Sequence, residues 1–144
     1  MARSETHTVW EGFGPGENCH EAGAVPAYFL SAYVLGVRLD GPASARRLLI
    51  QPRLGDLNEA DGTVVTELGL VPVRWRRDAA GNRLDFDFQI PDGVRATVAL
   101  PLAGEKPQVQ INGHRLAPAD LKTQGRYLLL ELGPGAHRGQ CSTP

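Results

Sequence analysis

The sequence predicts a mainly β chain: an antiparallel β-sandwich over residues 41–135, preceded by a loop and one apolar helix in residues 1–40 and followed by a tail over 136–144. Three observations predict it. A charge-free stretch, AGAVPAYFLSAYVLGV from Ala22 to Val37, has helical periodicity. After Asp40-Gly41-Pro42 the pattern changes to short runs separated by turn residues, the signature of antiparallel β-structure. Within those runs, RLDFDFQI alternates strictly between apolar and polar positions.

In the charge-free stretch Phe29, Leu30, Tyr33, Val34 and Val37 fall at helical spacing, which predicts a helix from about Val25 to Leu35. Pro26 is tolerable in its first turn, and Gly36 is a suitable stop. The opposite face carries Ala24, Tyr28, Ala32 and Leu35, so the helix is apolar nearly all round and needs a burial partner. Sixteen residues interrupted by Gly and Pro are too few to span a bilayer, so no membrane partner is expected.

Seven strands are predicted: Arg47 to Gln51, Gly62 to Thr66, Leu70 to Arg76, Arg83 to Ile90, Val94 to Leu100, Gln108 to Ile111, and Tyr127 to Leu132. In Arg83 to Ile90, Leu84, Phe86, Phe88 and Ile90 make the core face while Asp85 and Asp87 point to water. Ala80-Gly81-Asn82, Pro91-Asp92-Gly93 and Asn112-Gly113 supply the turns, and Asn-Gly suits the positive φ angles of a two-residue hairpin. Strands at this spacing favour a sandwich. Gly133-Pro134-Gly135 reads as a turn ahead of a loose tail.

Composition excludes several functions. With 15 Lys plus Arg against 16 Asp plus Glu and no basic stripe interleaved with aromatics, nucleic acid is not expected as a partner. Cys19 and Cys141 lie near opposite ends at no metal-ligand spacing and read as free thiols, and no metal or cofactor is expected. The start MARSETHTVW lacks the apolar run of a secretory signal, which favours the cytoplasm. Asp85 and Asp87 on an outward face, and Asp56, Asp61, Asp78 and Asp92 in turns, read as solvated rather than catalytic. Trp75 shares a face with Val71 and Val73 and reads as core; His114 and His137 read as surface histidines.

The stretch TVWEGFGPGENCHEAG, residues 8–23, carries residue types that suit carbohydrate chemistry. A glutamate such as Glu11 can activate water, the adjacent Trp10 can wall a sugar site, and glycines admit a ligand close to the backbone. GFGPGE lacks the spacing and the Lys-Ser or Lys-Thr of a phosphate loop.

From residue 8 to about 132 the chain resembles the C-terminal portion of bacterial α-L-rhamnosidases. The resemblance rests on Trp10-Glu11, on Cys19-His20 leading into PAYFLSAYVLGVR, on QPRLGDL with GTV over Gln51 to Val64, and on DGVRATVALP and VQINGHRL. It implies that residues 1–40 are the end of a catalytic (α/α)6 barrel and that the sandwich packs behind it. It also implies Glu11 as the general base of an inverting hydrolysis of terminal α-L-rhamnosides, with Trp10 and His20 lining the rhamnose pocket. The second carboxyl group that inversion requires would come from an earlier barrel segment, so the isolated chain is expected to be inactive.

Where the family continues after Cys-His with Gly-Trp-Ser or similar, this chain has Glu21-Ala22-Gly23, which removes an aromatic wall and puts sugar selectivity in doubt. Glu17 and Glu21 are too close along one loop to serve as the second carboxylate. The expected partners are a rhamnose-containing glycoside, bound through the complete enzyme, and either the missing barrel segment or a second copy packed on residues 25–37. The rival reading is a non-catalytic β-sandwich module with a structural or glycan-binding role; another is a related (α/α)6 hydrolase or lyase with a different substrate.

Overall fold

The computed structural model describes residues 25–101 and 106–142. It opens with a short helix, α1 (Val25–Phe29), which widens into a π-type turn over Leu30–Val34. The Leu35 N–H donates to the Leu30 carbonyl oxygen (2.8 Å), five residues back. The expected helix is therefore present but changes its hydrogen-bonding pattern halfway. Gly36 ends it at a φ of 85°, in the left-handed region that favours glycine.

Among the described residues eleven strands follow: β1 (Val37–Leu39), β2 (Arg47–Ile50), β3 (Glu59–Thr66), β4 (Gly69–Arg77), β5 (Arg83–Ile90), β6 (Arg95–Pro101), β7 (Gln108–Ile111), β8 (His114–Arg115), β9 (Lys122–Gln124), β10 (Tyr127–Leu132) and β11 (Gly135–Ser142). They form a five-stranded sheet in the order β1-β2-β6-β10-β9 and a six-stranded sheet in the order β3-β4-β5-β11-β7-β8. The β2–β6 pairing is parallel, with Ile50 opposite Val98, and the other pairings are antiparallel. The chain leaves the smaller sheet after β2, builds β3, β4 and β5 in the larger one, and returns as β6. That crossing of the core is what makes a parallel pair possible in an otherwise antiparallel sandwich.

Every second residue of each long strand enters the core, as a two-residue period demands. Leu48, Ile50, Val98, Leu100 and Leu128 from the smaller sheet meet Val71, Val73, Trp75, Phe86, Phe88 and Ile90 from the larger. Trp75, Phe86 and Phe88 form a contiguous aromatic group, with ring centroids 5.7–6.1 Å apart. Trp75 is fully buried, as its alternation with Val71 and Val73 predicts. The β7–β8 hairpin turns through Asn112 and Gly113 with φ of 49° and 82°, the two positive angles expected of Asn-Gly.

Three expectations require correction. The loose tail is a strand: β11 lies inside the six-stranded sheet, paired with β5 along eight residues and with β7 along four. Its core-facing positions are Gly135, His137, Gly139 and Cys141, too few large apolar residues to show alternation. Gly139 is small because its neighbours fill the space: a Cβ there would meet the Gln110 carbonyl oxygen at 2.1 Å and the Phe86 ring at 2.7 Å. His137, expected on the surface, is half-buried and packs at a tilt against Phe88 with ring centroids 5.7 Å apart, and its Nε2 donates to the Gly133 carbonyl oxygen (2.9 Å). Asp61, expected in a turn, sits in β3 opposite Arg74. In addition, the turn Asp40-Gly41-Pro42 joins two paired strands, because β1 already belongs to the smaller sheet.

Candidate functional site

Trp10, Glu11 and His20, the predicted site residues, lie outside the described residues, as do Glu17, Cys19 and Glu21. Among the described residues the feature that continues directly from that segment is the helical stretch 25–35. Its sequence is apolar on all sides, and the sandwich covers only one of them. Ala32 is buried, and Val34 and Leu35 pack against the core. Val25, Tyr28, Phe29 and Leu30 remain 48–59% exposed, a patch of large apolar side chains that the other described residues leave uncovered.

This patch is rigidly mounted. The Trp75 indole Nε1 donates to the Leu35 carbonyl oxygen (2.9 Å), joining the helix end to β4. Arg38 Nη1 donates to the Ala32 carbonyl oxygen (2.7 Å) and Nη2 to Gln51 Oε1 (2.8 Å). The Arg53 main-chain N–H donates to the Tyr33 carbonyl oxygen (2.8 Å). The guanidinium groups of Arg38 and Arg53 also lie 4.9 and 5.2 Å from the centroid of the Tyr33 ring, a cation–π contact that holds it. Phe29 stacks on Tyr33 at 5.4 Å, and Tyr28 meets both rings edge-on. The result is an aromatic platform locked to the sandwich on one side and, among the described residues, open on the other.

Arg38 and Arg53 carry no local signal in the sequence; each acts across a loop on a helix that precedes it. Only the aromatic spacing of Tyr28, Phe29 and Tyr33 within a charge-free run points to the platform beforehand.

The outer face of the six-stranded sheet is a second polar surface, a shallow groove of about 520 Å³. Across β3, β4, β5 and β11 the residues Asp61, Arg74, Asp87 and Arg138 stand in register with alternating charge. Arg83 pairs with Asp85 (2.7 Å), Arg138 with Asp87, and Arg74 with Asp61 (3.6 Å). Opposite charges directly across a sheet stabilise it modestly, about 0.2–1 kcal/mol per pair. Asp85 and Asp87 are thus occupied as ion-pair partners, in keeping with their predicted outward placement.

Cys141 is free and buried, and burial pushes its thiol up from the ordinary value of 9.0. It stays protonated at neutral pH and is a poor nucleophile. No group of three or more His, Cys, Asp and Glu side chains able to hold a metal ion occurs among the described residues. None of the described helices is long and apolar enough to cross a membrane.

Residues 36–115, more than half of the chain, match the family described as the bacterial alpha-L-rhamnosidase C-terminal domain. Among solved structures, the alpha-L-rhamnosidase of Dictyoglumus thermophilum superposes with a TM-score of 0.74 at 21% identity, over 94% of this chain and 16% of that one. The Streptomyces avermitilis alpha-L-rhamnosidase, solved with L-rhamnose, superposes with a TM-score of 0.68 at 22% identity, over 85% of this chain and 11% of that one. The Aspergillus terreus enzyme gives 0.62 at 22% identity, over 90% and 13%. The 144 residues thus correspond to a small part of each of these proteins. No curated protein matches the chain.

Proposed function

Because the chain belongs to the bacterial α-L-rhamnosidase C-terminal domain family, we propose that it is the C-terminal part of a glycoside hydrolase that cleaves terminal α-L-rhamnosides with inversion. The observation that carries this reading is the uncovered aromatic face of residues 25–30, fixed to the sandwich by Trp75, Arg38 and Arg53. A face so mounted suits packing against further helices, here the rest of an (α/α)6 barrel. Where no barrel is present, a second copy of the chain covers the same face.

In this reading Glu11 is the general base. Its carboxylate takes a proton from the water that attacks the anomeric carbon, while Trp10 limits competing solvation and, with His20, lines the rhamnose pocket. Inversion requires a second carboxyl group about 6.5–9.5 Å away, on the far side of the sugar, to protonate the leaving oxygen. That acid belongs to a barrel segment outside these 144 residues, so the chain by itself does not turn over substrate.

The test is hydrolysis of an aryl α-L-rhamnoside by the 144-residue chain and by a chain extended through a barrel. Only the extended chain is expected to turn over. Within it, Glu11→Gln keeps the shape of the side chain but removes the base and should lower kcat by about 10²- to 10⁴-fold. Comparable turnover from the short chain would refute its dependence on a barrel, and near-normal turnover by the Gln variant would refute the role of Glu11.

A further inference from the structure

At one end of the sandwich a pocket of about 470 Å³ opens between the loop after β2, the end of β4 and the start of β10. Its volume falls in the range of small-molecule sites, about 300–1,000 Å³. Leu54, Leu84 and Cys141, all buried, contribute an apolar floor, and half-buried Tyr127 stands beside it. Three arginines, Arg53, Arg77 and Arg126, belong to the lining, and among the described residues no carboxylate does.

The contrast with the groove on the outer sheet face, whose lining mixes arginines with Asp85 and Asp87, is what gives this cluster meaning. On the outer sheet face Arg74, Arg83 and Arg138 each have an aspartate partner, and Arg47 pairs with Asp40 and Glu131. Among the described residues no carboxylate lies within 4.0 Å of Arg53, Arg77 or Arg126. Their side-chain hydrogen bonds to other described residues come from Arg77 Nη2, which donates to the carbonyl oxygens of Gly55 (3.2 Å) and Leu57 (3.1 Å). Among the described residues the remaining N–H groups of the three guanidiniums have no hydrogen-bond acceptor, and the Arg53 guanidinium lies with one flat face toward the Tyr33 ring, 5.2 Å from its centroid.

Three like charges around one concavity repel one another, and the low-dielectric floor strengthens the field they share. An anion relieves that repulsion, and guanidinium forks match carboxylate geometry with two parallel hydrogen bonds. A bare inorganic anion would leave the Leu54 and Leu84 floor wet. We propose that this pocket binds a small organic acid, with its carboxylate among Arg53, Arg77 and Arg126 and its apolar body on Leu54 and Leu84.

The experiment is a ¹H–¹⁵N NMR titration of the full 144-residue chain at constant ionic strength, with sodium benzoate, its neutral analogue benzyl alcohol, and sodium phosphate as probes. Benzoate is expected to give saturable shifts at the amides of Arg53, Gly55, Arg77, Arg126 and Tyr127. Phosphate should bind more weakly, and benzyl alcohol should not bind. Arg126 is exposed beside a turn, so Arg126→Gln should keep the spectrum of the folded chain while weakening benzoate about tenfold, the scale of one charge-assisted pair. Arg74→Gln, on the outer sheet face, should leave benzoate binding unchanged.

Equal shifts at Arg74, Arg76 and Arg138 would overturn the proposal, as would binding insensitive to Arg126→Gln or phosphate binding as tight as benzoate. Loss of the benzoate response in a chain extended through a barrel would also overturn it, in favour of an acidic protein surface as the occupant.

Discussion

The indole of Trp75, at the centre of the sandwich, donates from Nε1 to the carbonyl oxygen of Leu35, the residue that ends the helical stretch. One side chain thus fills the core and ties down the element that carries the aromatic platform. Trp75→Phe should separate these effects, because it keeps a ring in the core but leaves the Leu35 carbonyl without its donor. The lost bond and the smaller ring together should cost about 2–4 kcal/mol. Urea unfolding followed by far-ultraviolet circular dichroism measures that loss. Limited proteolysis should show earlier cleavage within residues 25–35, and equal protection of that stretch in the two proteins would refute the tie.

Gly36 is the joint between helix and sheet. Its carbonyl oxygen accepts from the Gln51 N–H (2.8 Å), and a Cβ at this position would meet the Gln51 carbonyl carbon at 2.3 Å and Pro52 N at 2.5 Å. Those atoms are backbone and cannot rotate aside, so Gly36→Ala should cost more than about 3 kcal/mol, combining positive-φ strain with a steric overlap. Gly113 has a similar φ of 82° but open space around its missing Cβ. Gly113→Ala should therefore cost only about 1–2 kcal/mol, the strain alone. Similar denaturation midpoints for the two variants would show that the overlap at Gly36 is relieved.

The uncovered face of residues 25–30 predicts self-association of the isolated chain. Burying such a surface is favourable by about 25 cal/mol per Å² of apolar area. Sedimentation velocity at rising concentration should show a shift toward dimers, and the double variant Phe29→Ser with Leu30→Ser should remain monomeric. Both side chains are more than half exposed, so the sandwich itself should keep its stability. A wild-type chain that stays monomeric throughout would count against this face as an interface.

What could be read from the sequence followed the physics of each element. β5 was legible to its ends because Leu84, Phe86, Phe88 and Ile90 are all large and all face the core. β11 was not, because its core-facing positions are Gly135, His137, Gly139 and Cys141, and at Gly139 the Phe86 ring and the Gln110 carbonyl leave no room for a side chain. The parallel pairing of β2 with β6 was also hidden, since a crossing between sheets leaves no local pattern in either strand. The apolar helix was visible as an element in need of cover, but the clamp from Arg38, Arg53 and Trp75 joins residues distant along the chain. Glu11 and Trp10 are singled out by residue type and, with His20, by resemblance, and all three lie outside the described residues.

Cys141 gives the fold a dependence on alkaline pH. Burial raises its thiol above the ordinary value of 9.0, so between that value and the higher folded one the native state keeps a proton that the unfolded chain has released. Stability falls with pH wherever the unfolded state binds fewer protons than the native one. The contribution of the buried thiol is therefore complete below pH 9.0 and is lost as pH rises through the folded value. Cys141→Ala removes the titrating group at a cost of about 1–2 kcal/mol near neutrality, from the lost packing beside Leu84 and Val109. Urea midpoints of the two proteins from pH 7 to 10.5 should converge above pH 9, because only the wild type has a thiol proton to lose. A constant gap across that range would show that the thiol does not ionise on unfolding.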